Sequence, residues 1–349
     1  MERARTVADL RPRKAMTIES GTSVAAAAKL MASRQSDAAL VVSAVSGSLE
    51  GILTDTDIAR KVLAVSKDPE ATSVNDAMTR SPMTVRETEN AIDALCTMVE
   101  NRFRHLPVLG EAGGIVGVLD IAKCLYDAIA RLERHLSSAS SALSSAMLRA
   151  LPTADGDAAK LVESMVQKLF SPSLAELLEM HEQSRASAGV EAAASIASSA
   201  TAQAAAALMA SRKSALIVAS DGAPCAGIVT PKDLLFRLVA KGSPAGSTAV
   251  EAVMTAQPDT MPGSATVLQA LHQLQYGGYR NVPVVDSVSG APLGVLDVLT
   301  LMEGALRRKM GGAADGAGLS GAALKQHWRG FWGSAETFVG APAPPARSN

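Results

Sequence analysis

Apolar positions along the chain follow two periods that take turns. Val24 to Ser33 and Asn90 to Asn101 carry apolar residues at helical spacing, which predicts amphipathic helices. A short extended piece precedes each, Met16 to Ile18 and Thr84 to Val85. Two short apolar runs follow each and read as strands: Ala39 to Val42 with Leu49 to Leu53, then Leu106 to Val108 with Ile115 to Leu119. A second helix is predicted after each strand pair, over Asp55 to Ala64 and Ile121 to Arg134. The order is β-α-β-β-α, and it occurs twice in the first part of the chain.

The pattern then returns. Gly51-Ile52-Leu53-Thr54-Asp55-Thr56-Asp57 recurs as Gly227-Ile228-Val229-Thr230-Pro231-Lys232-Asp233. Val74 to Thr79 recurs as Val250 to Thr255, and Leu106-Pro107-Val108 as Val282-Pro283-Val284, at the same interval. Leu30 to Arg34 returns letter for letter as Leu208 to Arg212. The chain therefore holds two copies of one module. Each module is itself double, because Gly51 has a weaker partner in Gly117-Val118-Leu119-Asp120 and Gly227 one in Gly294-Val295-Leu296-Asp297. Units of about 60 residues bury their own sheet poorly, so pairing two of them face to face explains the doublets. The units are placed at 7–67, 74–134, 183–242 and 250–309. Residues 135–182 form a Ser-rich linker with a bridging helix, Ala158 to Phe170, and 310–349 a Gly/Ala/Pro-rich tail with an aromatic cluster at Trp328, Phe331 and Trp332.

These units resemble CBS domains, and each pair resembles a Bateman module. The resemblance rests on the two G-h-h-T-x-x-D segments, on the openings Met78-Thr79-Arg80-Ser81-Pro82 and Met254 to Pro258, and on Arg104-His105-Leu106-Pro107-Val108. Leu119 to Glu133 and Phe331 to Ala335 are similar more narrowly to plant, algal and fungal proteins with four CBS motifs and a C-terminal Phox-and-Bem-type interaction domain. The chain ends at Asn349, before that domain would come, so it is expected either to lack the domain or to be a short gene model. The fold class implied is α/β (α+β), two tandem Bateman modules, each a pair of β-α-β-β-α units packed sheet to sheet.

Composition narrows the function classes. The 349 residues are 48% hydrophobic but only 3% aromatic, which argues for alanine-rich helices and against a large aromatic cage. The longest apolar run, Ala204 to Ala210, falls far short of the roughly 18 residues of a membrane span, and the N-terminus lacks a secretory stretch, so a cytoplasmic protein is expected. Balanced charge, 33 basic against 34 acidic residues, disfavours nucleic-acid binding. Cys96, Cys124 and Cys225 have no paired spacing, so neither a metal site nor a disulfide framework is expected. No nucleophile motif is present; Gly316 to Gly321 matches G-x-G-x-x-G but follows a helix where a dinucleotide site needs a strand. The protein is expected not to be an enzyme and to need no cofactor.

The candidate chemistry sits in the repeated motif. Thr54 with Asp57, and Thr230 with Asp233, have the spacing of a capping box, and Pro231 suits a first helical position. The same helix start offers N–H groups and a positive dipole end to a phosphate. In CBS domains the resemblance implies a divided role, the threonine for phosphate and the aspartate for the ribose hydroxyls. It also implies that Arg104 and His105 in the first module, and Arg280 in the second, reach the phosphates. The first module is expected to bind more tightly, through a charged His105. Asp120 and Asp297 occupy the threonine slot of the even units and are expected to cap without binding, giving one site per module. The implied ligand is AMP, ADP, ATP or a related adenosyl compound. The reading is a non-catalytic nucleotide sensor, a homodimer that regulates an unidentified partner. The alternatives are a ligand-free dimerisation scaffold and the regulatory subunit of a separate enzyme.

Overall fold

The structure is a computed structural model and describes residues 5–127, 130, 173–186, 195–212, 215–220 and 222–302. The Ser-rich linker, the bridging helix and the tail with its aromatic cluster lie outside the described residues.

In the first unit β1 (Thr17–Glu19) leads to α1 (Val24–Ser33), β2 (Ala38–Val42), β3 (Leu49–Thr54) and α2 (Asp55–Ile58). Ser23 starts α1 by accepting from the Ala26 N–H at 3.2 Å, and its apolar spacing buries Val24, Ala25, Ala27, Ala28 and Met31. Past Ile58 the helix widens into a π turn over Ala59–Leu63, which its apolar pattern does not distinguish from a continuing α-helix. After α3 (Val74–Ala77), β4 (Thr79–Arg80) returns to the first sheet, ordered β1-β2-β3-β4. The second unit has β5 (Val85–Arg86), α4 (Ala91–Glu100), β6 (His105–Leu109), β7 (Ile115–Asp120) and a helix at 121–127.

The second module repeats the plan. α5 (Leu174–Ala186) precedes β8 (Ser195–Ala197), α6 (Ala202–Arg212), β9 (Leu216–Ser220), β10 (Ala223–Val229) and α7 (Pro231–Asp233). α7 again widens into a π turn, over Leu234–Leu238. β11 (Thr255–Ala256) closes that sheet, and the last unit has β12 (Met261–Pro262), α8 (Val267–Gly277), β13 (Asn281–Val285) and β14 (Pro292–Asp297). The protein is thus mixed α/β, with four small sheets. In every unit the first strand pairs parallel to the second and the second antiparallel to the third, the consequence of a helix crossover followed by a hairpin.

Two recurring sequence segments turn out to be two sides of one contact. A Cβ on Gly51 would lie 2.9 Å from Met78 Cγ and 3.0 Å from the Thr79 carbonyl, and Gly227 stands in the same relation to Met254 and Thr255. Glycine lets β4 and β11 lie against β3 and β10.

The cores join units from different modules. One apolar cluster unites the first and third units, the other the second and fourth. α1 packs on the helical turn Val239–Lys241 of the third unit, and α6 packs reciprocally on the π turn of the first. Ala27 and Ala28 on α1, and Ala205 and Ala206 on α6, are buried, and their small side chains let each helix approach the turn it packs on closely. α2 and α7 also touch, which brings the two repeated Thr–Asp motifs to the centre of the molecule.

The segment ahead of each module packs on that module's second unit. Val7 is buried in the second–fourth core, and Arg13 exchanges both backbone hydrogen bonds with Val118 at 2.9 Å. In the second module the Leu174 N–H donates to the Ala265 carbonyl, and α5 lies on β14. Residues 7–13, counted by sequence with the first unit, are therefore part of the second unit's packing. Gly117 makes this possible: a Cβ there would lie 2.5 Å from the Arg13 carbonyl oxygen, a backbone atom that cannot swing aside. Gly117→Ala is expected to destabilise the protein by about 1–3 kcal/mol through overpacking, measured by urea unfolding. A loss no larger than that of an exposed glycine replaced by alanine would show that the leading strand is not held there.

Candidate functional site

The helix starts of α2 and α7 have the same geometry. Thr54 Oγ1 donates to Asp57 Oδ2 at 2.6 Å, the Thr54 N–H donates to the same oxygen at 3.0 Å, and Asp57 N–H returns to Thr54 Oγ1 at 3.2 Å. Thr230 and Asp233 repeat these bonds at 2.6, 2.9 and 3.2 Å. Both are complete capping boxes. The free ends of the two carboxylates also match. Asp57 Oδ1 pairs with Lys61 Nζ at 2.7 Å and accepts from the Thr79 hydroxyl at 3.2 Å. Asp233 Oδ1 pairs with Arg237 Nη1 at 3.2 Å and accepts from Thr255 at 3.4 Å. Lys61 and Arg237 lie in the π turns, one helical step on, a recurring spacing visible in the sequence that went unused.

Two open clefts flank these helix starts. Thr54, Asp57, Arg104 and His105 line one of about 460 Å³, and its other wall is Met209, Pro231 and Asn281 of the second module. Thr230, Asp233 and Arg280 line one of about 1050 Å³, whose other wall is Arg13, Asp37 and Asp120 of the first. Arg104, Pro231 and Asn281 line both clefts. All seven residues singled out from the sequence thus come together at the centre. Each cleft is walled by both modules, where the sequence reading placed one site within each.

The expected phosphate-seeking groups already have partners. Arg104 Nη2 pairs with Asp55 Oδ1 at 3.0 Å and donates to Thr56 Oγ1 at 2.7 Å. Arg280 Nη2 pairs with Asp120 Oδ2 at 2.9 Å, and its Nη1 pairs with Asp37 Oδ2. Arg13 shares Asp120 at 3.3 Å, and His105 Nε2 lies 3.4 Å from Asp37 Oδ1. Burial holds the Arg280 pKa down at about 10, still charged at neutral pH. Asp37 and Arg13 lie outside the repeated motif, and Asp55 falls at one of its variable positions, so the motif itself singled out none of the three. Asp120 and Asp297 do cap, the first accepting from Ala122 N–H at 3.0 Å and the second from Thr300 N–H at 2.7 Å. The pairing of Asp120 with two arginines was not foreseen.

The first helix start has no amide to spare. Asp55 N–H donates to the Asp37 carbonyl at 2.9 Å, Thr56 N–H to the Asp55 carboxylate at 2.6 Å and Asp57 N–H to Thr54. Asp55 adds a carboxylate at this helix start, paired with Arg104 and lining the larger cleft. In the second module Pro231 occupies that position and has neither a carboxylate nor an N–H. The expectation that the first module binds more tightly rests on a charged His105.

His105 is the other correction. Burial lowers its pKa from the ordinary histidine value; the Asp120 and Asp55 charges oppose this and Arg104 and Arg13 reinforce it. The imidazole is neutral near pH 7, and the expected charged His105 is not what the fold provides. The unfolded chain takes up a proton near pH 6.5 that the folded one refuses, so stability should fall as pH drops through that value. His105→Gln should flatten the decline between about pH 7 and pH 5, read from urea midpoints. An unchanged slope would assign the decline to other groups.

Cys96 and Cys124 are buried thiols outside any disulfide, and burial first, then the Asp120 charge, pushes Cys124 up to about 12, too high for a nucleophile. Among the described residues no group of His, Cys, Asp and Glu is placed to hold a metal ion, and no helix is long and apolar enough to cross a membrane.

The CBS domain matches this chain four times, at residues 7–64, 74–127, 191–240 and 250–306. The chain belongs to the CBS-domain family. It is 34% identical over 304 residues to the CBS domain-containing protein CBSCBSPB3 of Arabidopsis thaliana, covering 86% of this chain and 52% of that protein. Identity to CBSCBSPB2 of the same plant is 37% over 302 residues, covering 86% and 54%. A fungal relative, the meiotically up-regulated gene 70 protein of Schizosaccharomyces pombe, is 30% identical over 310 residues, covering 82% and 41%. The resemblance read from the motifs is borne out, and this CBS-domain chain spans about half the length of the curated relatives it matches. Among solved structures, protein MJ1225 from Methanocaldococcus jannaschii shares the fold with a TM-score of 0.56 and 13% identity, over 85% of this chain and 99% of that one.

Proposed function

We propose that this CBS-domain protein is a non-catalytic sensor of adenosine nucleotides that regulates a partner. One observation carries the reading. The same threonine–aspartate arrangement stands at two touching helix starts, and each opens on a cleft that also offers arginine and is walled by both modules. A carboxylate oxygen such as Asp233 Oδ1, now held by Arg237 and Thr255, can accept two hydroxyls of a ribose in their place. Lys232 and Arg280 supply cations for the phosphate in the larger cleft. That cleft is the tighter site in this reading, because it gathers Lys232 and Arg280 and its own helix begins with Pro231, which brings no carboxylate. Binding between the modules changes their relative angle, and a partner reads that change. The protein acts in the cytoplasm as a homodimer.

A ligand-free scaffold is the second reading, favoured by one observation: every amide of the first helix start is satisfied within the chain. Calorimetric titration with AMP, ADP and ATP separates the two. Saturable binding supports the sensor, and no heat with any of the three supports the scaffold. Capture of a partner from extract with and without nucleotide then identifies what is regulated.

A further inference from the structure

Arg280 has an unusual placement for a ligand-binding cation. It stands just before β13 in the last unit, yet its guanidinium is held by Asp37 of the first unit and Asp120 of the second. Both bonds cross between the modules. The side chains are largely withdrawn from water, at 20%, 13% and 6% exposure for Arg280, Asp37 and Asp120. Each acid also has a second partner: Asp120 keeps Arg13 and the amides of Ala122 and Lys123, and Asp37 keeps His105. If Arg280 turned away, neither acid would be left bare.

We infer that Asp37 and Asp120 are internal competitors for the Arg280 guanidinium, so that a phosphate entering the larger cleft must take Arg280 from them and thereby undoes this polar latch between the two modules. This rests on the nucleotide reading for the ligand, while the ligand-free latch stands on the geometry alone. A phosphate matches the guanidinium fork as well as a carboxylate does, so the exchange keeps the arginine paired. It also brings the phosphate's negative charge beside two carboxylates, which weakens binding. The two aspartates therefore set the nucleotide concentration at which the protein responds. In this view the ligand-free state is the latched one.

The test titrates AMP, the adenosine nucleotide with one phosphate, into wild type, Asp37→Asn, Asp120→Asn and Arg280→Met. Asparagine caps a helix as well as aspartate, so Asp120→Asn preserves the helix at 121–127. Each asparagine variant should bind AMP about tenfold more tightly, and Arg280→Met at least as much more weakly. Two aspartates are tested so that a fault in one variant does not decide the matter. Affinity that is unmoved or weakened in both asparagine variants would overturn the competition while leaving nucleotide binding intact. No AMP binding by any of the four proteins would overturn the nucleotide reading and the competition with it. The latch has its own readout without ligand, the thermal midpoints of Arg280→Met, Asp120→Asn and the double variant. The double variant should fall no further than the worse single one; additive losses would overturn the latch.

Discussion

Asp120→Ala lowers the stability of the ligand-free protein by about 3–5 kcal/mol, the cost of taking one of two partners from a buried arginine together with a helix cap. One carboxylate serves two purposes here. Its Oδ1 caps the helix at 121–127 through Ala122 N–H, and its Oδ2 holds Arg280 and Arg13. The exposed Arg13 contributes little to that figure, because solvent screens it. Arg280 contributes most, since it is held away from water and would be left with Asp37 alone. Asp120→Asn should cost clearly less, because the amide oxygen still caps the helix. Urea unfolding of the two variants checks this. Equal losses below about 1 kcal/mol would mean that the Arg280 pairing contributes no more than a surface pair.

Asp233→Ala should weaken AMP binding in the larger cleft by on the order of 1–3 kcal/mol, which is between about fivefold and a hundredfold. In the nucleotide reading the carboxylate accepts the two ribose hydroxyls, and it is the charged acceptor of the Thr230 motif. The same change removes half of a capping box, at about 1 kcal/mol of stability. Binding is therefore compared per folded molecule, with melting followed in parallel. If the variant melts earlier but binds AMP as wild type does, Asp233 is a cap and nothing more. Asp57→Ala should matter less to nucleotide, because Asp55 already satisfies Thr56 N–H at that helix start and the cleft holds neither Lys232 nor Arg280.

Much of the architecture was legible because it is written in local periodicity. β2 and β3 fall within a residue of the apolar runs Ala39 to Val42 and Leu49 to Leu53, and α1 coincides with Val24 to Ser33. The recurrence of Gly51 and Met78 as Gly227 and Met254 marked the repeat, and the contact between them explains why they recur together. The capping boxes were legible too, since both partners lie within one turn. What the sequence hid is non-local or nearly silent. Alanine-rich faces on α1 and α6 say that something packs closely without saying what, so the union of first and third units was not foreseen. Val7 and the half-buried Leu10 are too few to read as an element, and their place on the second unit is set by non-local bonds such as Val7 N–H to the Glu89 carbonyl. Asp37 and Arg280 meet from opposite ends of the chain, and His105 reads as an exposed basic residue until the fold buries it.

The central claim is that nucleotide binds at the repeated threonine–aspartate helix starts. Equilibrium dialysis with labelled AMP, on wild type, Asp57→Ala, Asp233→Ala and the double variant, tests it most directly. The account predicts no more than two AMP per wild-type chain, with the tighter site lost in Asp233→Ala, the weaker in Asp57→Ala and both in the double variant. Four AMP per chain, or a double variant that binds as wild type does, would contradict it.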